Sequence, residues 1–186
     1  MRIISGSWRG QSLKIPRRVR PTTDRVKEAI FSILGDAWNL DVLDLYAGSG
    51  GLGLEALSRG ARSAHFVDVS RYALHTIKDN LHGKEPVNVT LSQQDALDFL
   101  RATQTPCDWI FCDPPYDKVN YTALLRAISE SKALTSHTLL ILESDRYHAF
   151  DLPPELSLID QRKFGDTVIY FIKRSADDDR SHEQRA

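Results

Sequence analysis

The chain has 186 residues, 41% hydrophobic and 26% charged, with a formal net charge of −1. That composition excludes a disordered or collagen-like polymer and fits one domain with a sizeable core and room for a small appendage. No apolar run approaches the roughly 20 residues of a membrane span, and the start Met1-Arg2-Ile3-Ile4-Ser5-Gly6 lacks the apolar stretch of a signal peptide. Two cysteines, Cys107 and Cys112, are too few for a disulfide framework, so a reduced, cytoplasmic protein is expected, with Cys112 a small core residue. The net charge hides an asymmetry. Residues 1–27 hold eight basic residues (Arg2, Arg9, Lys14, Arg17, Arg18, Arg20, Arg25, Lys27) against Asp24 alone, a local charge of +7, and the remainder is −8. Such a split suits a polyanion-binding arm on an acidic body; the bland alternative is a solvated basic terminus.

In chain order, Ile3-Ile4 and Leu13-Lys14-Ile15 flank Gly6 and Gly10 and predict a short β-hairpin, followed by a basic loop. Thr22-Thr23-Asp24 is a helix-start signal, and Val26, Ile30, Ile33, Leu34 and Ala37 predict an amphipathic helix over 24–37. From residue 41 strands and helices alternate. The expected strands are 42–46, 64–67, 87–91, 109–112 and 138–142, and the expected helices are 52–58, 71–82, 95–102 and 121–131. This alternation argues a parallel, doubly wound sheet. Leu156–Phe164 and Thr167–Lys173 then predict an antiparallel hairpin around Gly165-Asp166. The expected organisation is a basic arm over 1–23, an α/β body over 24–174 and a disordered polar tail over 175–186.

Asp44-Leu45-Tyr46-Ala47-Gly48-Ser49-Gly50-Gly51-Leu52-Gly53 leaves a strand and opens a helix, and Gly48, Gly50 and Gly53 satisfy G-x-G-x-x-G. A dinucleotide would place its pyrophosphate there, where the Asp44 carboxylate repels it. S-adenosylmethionine has no phosphate, and its ammonium and sulfonium favour a nearby carboxylate. Asp44 is therefore assigned to the methionyl end of that cofactor, the alternative being a cap on the loop amides. Asp68, after the second strand and about 20 residues past the glycines, is suited to ribose hydroxyls. Asp95 is suited to the adenine amine, with backbone groups of Ala96, or to the N-cap of the next helix; the two roles can coexist. The expected cofactor site comprises Asp44, Tyr46, Ala47, Gly48, Ser49, Gly50, Asp68, Val69, Asp95 and Ala96, with no metal.

Ile110-Phe111-Cys112-Asp113-Pro114-Pro115-Tyr116 is the most specific stretch. It ends a strand where open α/β sheets bind ligands. Two prolines remove two N–H donors, so the loop offers acceptors: the Asp113 carboxylate and the Pro114 carbonyl. The two hydrogens of an exocyclic base amine complement them. Acceptors on both hydrogens favour a pyramidal nitrogen, localise its lone pair and stabilise the positive charge that develops in attack. No strong base is needed, and Tyr116 supplies a flat face for an extruded base. The alternative is a rigid turn with Tyr116 in the core.

The motif resembles the class I methyltransferases that modify amino groups. The whole chain to about residue 174 is similar to the RsmD family of bacterial ribosomal RNA methyltransferases. The matching stretches are Arg2–Gly10, Arg20–Glu28, Leu43–Gly50, Leu52–Gly60 and Asp113–Tyr116. Arg20-Pro21-Thr22-Thr23-Asp24-Arg25 is the family-specific one. The resemblance implies a class I, Rossmann-like fold: a seven-stranded, mostly parallel sheet with a C-terminal antiparallel hairpin and a small N-terminal β-hairpin. It implies methylation of the exocyclic 2-amino group of a guanine in 16S ribosomal RNA, within an assembling small subunit. Arg20, Thr22 and Thr23 would lie near the cofactor and base, and Arg2, Arg9, Lys14, Arg17, Arg18, Arg20 and Arg25 would hold RNA. Gly51 replaces a frequent Ala, and Asp68 a common Glu that the shorter acid would match through water. The competing expectations are a DNA adenine methyltransferase and a non-catalytic RNA-binding or assembly factor.

Overall fold

The computed structural model describes residues 1–16, 23–84 and 88–176, the side chain of Asp117 excepted. Arg17, Arg18, Arg20, Thr22 and most of the expected tail therefore lie outside the described residues. The strands are β1 (Asp41–Leu45), β2 (Ser63–Asp68), β3 (Asn88–Gln93), β4 (Trp109–Cys112), β5 (Leu139–Asp145), β6 (Leu156–Phe164) and β7 (Thr167–Arg174). The helices are α1 (Asp24–Leu34), α2 (Gly51–Ser58), α3 (Arg71–Leu81), α4 (Ala96–Ala102) and α5 (Tyr121–Glu130). The strands form one seven-stranded sheet in the order β3-β2-β1-β4-β5-β7-β6, a mostly parallel sheet with a C-terminal antiparallel hairpin, as the resemblance implies. The chain divides into two compact units, Met1–Ala96 and Leu97–Ala186.

In the first unit β1 and β2, then β2 and β3, pair in parallel, with Asp44 opposite Phe66. Parallel strands covered on both faces read as apolar runs, and Val42, Leu43, Leu45, Phe66 and Val67 are all buried. Every residue of α2 is buried, so this helix lies wholly in the core. Gly53 makes that possible. A Cβ there would stand 2.3 Å from Phe66 Cε1 and 3.0 Å from Asp44 Oδ2. Gly53→Ala is therefore expected to cost about 1–3 kcal/mol by overpacking, and Phe66→Leu in the same chain to recover part of it. Thermal unfolding of the single and double variants beside the wild type checks this; an unchanged midpoint for Gly53→Ala alone would contradict the packing.

The first helix ends earlier than its apolar spacing suggests. Gly35 adopts φ +76° and donates its N–H to the Phe31 carbonyl, closing α1 at Leu34 rather than at residue 37. The expected N-terminal hairpin reduces to one antiparallel bridge, Arg2 with Ser12, supported by Ile3 N–H to the Gln11 carbonyl and Gly10 N–H to the Ile3 carbonyl.

In the second unit β4 and β5 are parallel, with Cys112 opposite Leu142. β5 pairs antiparallel with β7, and β7 with β6, across the turn at Gly165 (φ +63°). Ile110, Phe111 and Cys112 are buried, as are Leu124, Leu125 and Ile128 of α5 and Ile169, Phe171 and Ile172 of β7. β6 lies at the sheet edge, mostly exposed, with a register irregularity between Leu158 and Asp160. Ser175 is tied by its N–H to the Glu155 carbonyl at 2.8 Å. Among the described residues no helix is long and apolar enough to cross a membrane.

Candidate active site

The glycine loop leaves β1 through a strained backbone. Tyr46 (φ +57°), Gly48 (φ +54°) and Gly50 (φ +76°) all sit in the left-handed region, and Tyr46 has no glycine's licence to do so. The loop is braced by Ala47 N–H to the Val67 carbonyl at 3.1 Å and Gly50 N–H to the Ala47 carbonyl at 2.7 Å. Asp68 completes it: Oδ2 accepts from Gly48 N–H at 2.8 Å and Oδ1 from Ser70 N–H at 2.7 Å. Asp44, Tyr46, Ala47, Gly48, Ser49, Gly50 and Asp68 thus come together. A Cβ at Gly51 would come within 2.8 Å of Sδ at the flexible end of the Met1 side chain and touch Ser49 Oγ at 3.9 Å.

Asp44 is 3% exposed, and its Oδ2 accepts from Gly53 N–H at 2.9 Å. Asp44 is thus tied through Oδ2 to the first turn of α2. Burial pushes its carboxyl up to about 8; the Gly53 N–H opposes this and the Asp68 charge adds to it. A cation beside Asp44 would favour its ionised form. Val69, just past Asp68, is exposed; Asp95 is exposed and directly precedes α4, whose first residue Ala96 is buried. Thr23 caps α1, its Oγ1 accepting from Val26 N–H at 3.3 Å.

The N-terminal segment is docked on its unit rather than free. Ile4 N–H and Ser5 N–H donate to the Glu55 carboxylate at 2.8 and 2.9 Å, and Ser7 N–H to the Ser58 carbonyl at 2.8 Å. Asn80 bridges this segment to the glycine loop: Oδ1 accepts from Lys14 N–H at 2.8 Å, and Nδ2 donates to the Lys14 and Ser49 carbonyls. Lys27, counted in sequence among the arm's charges, is corrected by its place: fully buried, it pairs with Glu55 at 3.1 Å and bonds the Arg2 carbonyl. Arg2, Arg9, Lys14 and Arg25 are exposed, Lys14 lying 2.8 Å from Asp79.

In the second unit Asp113-Pro114-Pro115-Tyr116 leaves the carboxyl end of β4. Pro114 is buried, Pro115 exposed and Asp113 half-buried. A 3-10 turn, Tyr116–Lys118, follows, closed by Lys118 N–H on the Pro115 carbonyl at 3.0 Å, so the turn closes on Pro115 rather than Pro114. The Tyr116 hydroxyl donates to Glu143 Oε1 at 2.7 Å. Burial first, then the Glu143 and Asp113 charges, hold that phenol well above its ordinary value, so it remains a neutral donor and is no base. Glu143 is 7% exposed on β5, next to Leu142, the partner of Cys112. It fixes the tilt of the Tyr116 ring and was missed in the sequence. The available signal was an acid at the carboxyl end of an apolar strand, the same signal that marks Asp44, Asp68 and Asp113.

A seven-stranded sheet with this order, a glycine loop after β1 and an Asp-Pro-Pro-Tyr loop after β4 defines a class I methyltransferase. The chain belongs to the family described as Conserved hypothetical protein 95, whose model matches residues 1–173. It is 43% identical to the YlbH protein of Bacillus subtilis (strain 168) over 153 residues, 78% of this chain and 83% of that one. It is 32% identical to Ribosomal RNA small subunit methyltransferase D of Escherichia coli (strain K12) over 173 residues, 91% of this chain and 87% of that one. The solved structure of Escherichia coli yhhF superposes with a TM-score of 0.85 at 32% identity, covering 95% of this chain and 98% of that one.

Proposed function

We propose that this chain methylates the exocyclic 2-amino group of a guanine in small-subunit ribosomal RNA, with S-adenosylmethionine as donor. The observation that supports the reading is the Asp113-Pro114-Pro115-Tyr116 loop at the carboxyl end of β4, with Tyr116 held by Glu143; there the Asp113 carboxylate and the Pro114 carbonyl would be the acceptors for an amine. The ribosomal polymer rests on similarity to Ribosomal RNA small subunit methyltransferase D of Escherichia coli, and the guanine on the resemblance of the Arg20–Glu28 segment to the RsmD family. In this reading residues 1–23 are an RNA-contacting arm and 24–174 the methyltransferase body.

The residues of the first unit fit the cofactor. A buried carboxyl pushed up to about 8 gains its charge more readily beside a cation, and a glycine-lined turn admits close backbone approach. Asp44 would face the methionyl ammonium or sulfonium, Asp68 the ribose hydroxyls, and Asp95 with Val69 and Ala96 the adenine. Tyr46, Ala47, Gly48, Ser49 and Gly50 would line the methionyl part, with Thr22 and Thr23 nearby. When bound, the sulfonium supplies the electrophilic methyl. Asp113 and the Pro114 carbonyl orient the amine hydrogens and hold the charge developing on nitrogen; Tyr116 stacks the base. The proton leaves only after transfer, when the nitrogen is acidic, so Asp113 or water suffices to accept it. Exposed Arg2, Arg9, Lys14 and Arg25, with Arg17, Arg18 and Arg20, would neutralise phosphates, giving strong salt dependence.

Asp44 sets a pH dependence. Cation binding favours its ionised form, so affinity for S-adenosylmethionine is expected to rise between about pH 6 and 7.5, by at most about tenfold per unit. Asp44→Asn should weaken binding and flatten this rise; calorimetry showing unchanged affinity and the same slope would refute the role. Without ligand the sign reverses: the folded protein retains a proton the unfolded chain releases above about pH 4, so Asp44's contribution to stability is lost as pH climbs through 8.

Labelled methyl transfer to small-subunit ribosomal RNA, assembling subunits, DNA and protein tests the substrate class. Label in RNA or subunits is expected. Incorporation only into DNA adenine would replace this reading with that of a DNA enzyme, and RNA binding with no transfer to any polymer would make the chain an assembly factor.

A further inference from the structure

We propose that Tyr147, with the Arg146 guanidinium against it, is a stacking platform for a nucleotide beside the target base. The proposal rests on the reading of the chain as an RNA methyltransferase. Tyr147 is 70% exposed, among the most exposed large side chains described. It is nonetheless held firmly. Asp145 Oδ1 accepts from both Tyr147 N–H at 2.7 Å and His148 N–H at 3.0 Å, and Asp145 Oδ2 lies 2.8 Å from His148 Nδ1. Arg146 donates its backbone N–H to the Asp166 carbonyl at 2.8 Å, and its Nε lies 3.1 Å from Asp166 Oδ1. Its guanidinium sits 4.8 Å from the Tyr147 ring centroid.

Arg146 Nη2 also donates to the Tyr147 hydroxyl at 2.5 Å, and a large exposed aromatic ring tied at both its backbone and its hydroxyl has already lost part of the conformational entropy that binding would otherwise cost. Its position gives it a use. β4 and β5 are parallel, so the turn after Asp145 and the Asp113 loop leave the same edge of the sheet. Glu143, two residues before Asp145, already bonds Tyr116. A strand whose target base enters at Tyr116 carries its neighbouring nucleotide along that edge. Bases of every sequence stack on a ring or a guanidinium plane, which is how single-stranded RNA is commonly gripped.

The chemistry also says what the platform does not do. Asp166 neutralises Arg146, and Asp145 is adjacent, so the patch carries no surplus positive charge for phosphates. Its contribution is stacking and should be nearly independent of salt. The basic residues of the arm should each change the salt slope by about one instead.

The test uses the full chain with deproteinised small-subunit ribosomal RNA as probe. Tyr147→Ala is expected to weaken RNA binding roughly five- to a hundredfold, with an unchanged salt slope and unchanged affinity for S-adenosylmethionine. Tyr147→Trp should bind like the wild type, and its added emission over that of Trp8, Trp38 and Trp109 should be quenched by the RNA. Binding within twofold for Tyr147→Ala, with no quenching of Tyr147→Trp, would overturn the platform. Quenching by intact small subunits but not by their RNA would also overturn it, placing a protein on this face. Failure of methyl transfer in the wild type with quenching intact would reject the enzymatic reading and leave the stacking contact standing.

Discussion

Asp113→Ala is expected to lower single-turnover methyl transfer by a factor of about 10² to 10³ or more, while affinity for S-adenosylmethionine stays within about twofold. The magnitude follows from removing one preorganised partner of the charge that forms in the transition state, with the sign opposite to that of an oxyanion hole. The selectivity follows from placement. Asp113 stands in the loop after β4, whereas Asp44, Gly48 and Asp68 hold one another around the loop after β1. Asp113→Asn keeps one acceptor and loses the charge, so its rate should fall between the two. Asp113 is half-buried, so neither substitution should cost much more than about 1 kcal/mol of stability. Near-wild-type turnover in Asp113→Ala would remove the acceptor role.

The largest loss of stability is expected from Glu55→Ala. Glu55 has no exposed surface and accepts from Ile4 N–H, Ser5 N–H and Arg59 Nε while pairing with Lys27. Removing the carboxylate strands the Lys27 ammonium in the core, a change that costs about 3–5 kcal/mol. For a chain of this size that is a fall of about 6–20 °C in the unfolding midpoint. Lys27→Met combined with Glu55→Leu should recover only part of the loss, because Ile4 and Ser5 would still lack their acceptor. RNA binding should fall in the single variant, since the segment carrying Arg2, Arg9 and Lys14 loses its anchor on α2. Calorimetric unfolding of the single and double variants checks the ordering; a midpoint within 2 °C of wild type for Glu55→Ala would contradict it.

The alternating strands and helices were legible because parallel strands buried on both faces give apolar runs, and α1 and α5 keep one apolar stripe. The glycine loop and Asp113–Tyr116 were legible because their residue types leave few other conformations or chemistries. What escaped depends on partners far along the chain. β5 extends past Leu142 to Asp145 because β7 pairs with it there, and this places Glu143 inside the strand and under Tyr116. Lys27 reads as one more arm charge until Glu55, 28 residues on, is known to face it. Asn80 has no local signal, since its partners are Lys14 and Ser49. The left-handed Tyr46 is likewise hidden, because no bulky residue advertises a positive φ.

Nucleoside analysis of the methylated product tests the central claim most directly. Small-subunit ribosomal RNA, alone or in assembling subunits, is treated with the chain and labelled S-adenosylmethionine, then digested and resolved. The account predicts that label appears as N2-methylguanosine, in step with formation of S-adenosylhomocysteine, and disappears in Asp113→Ala. Label in N6-methyladenosine or on a ring carbon, or label that survives Asp113→Ala, would contradict it.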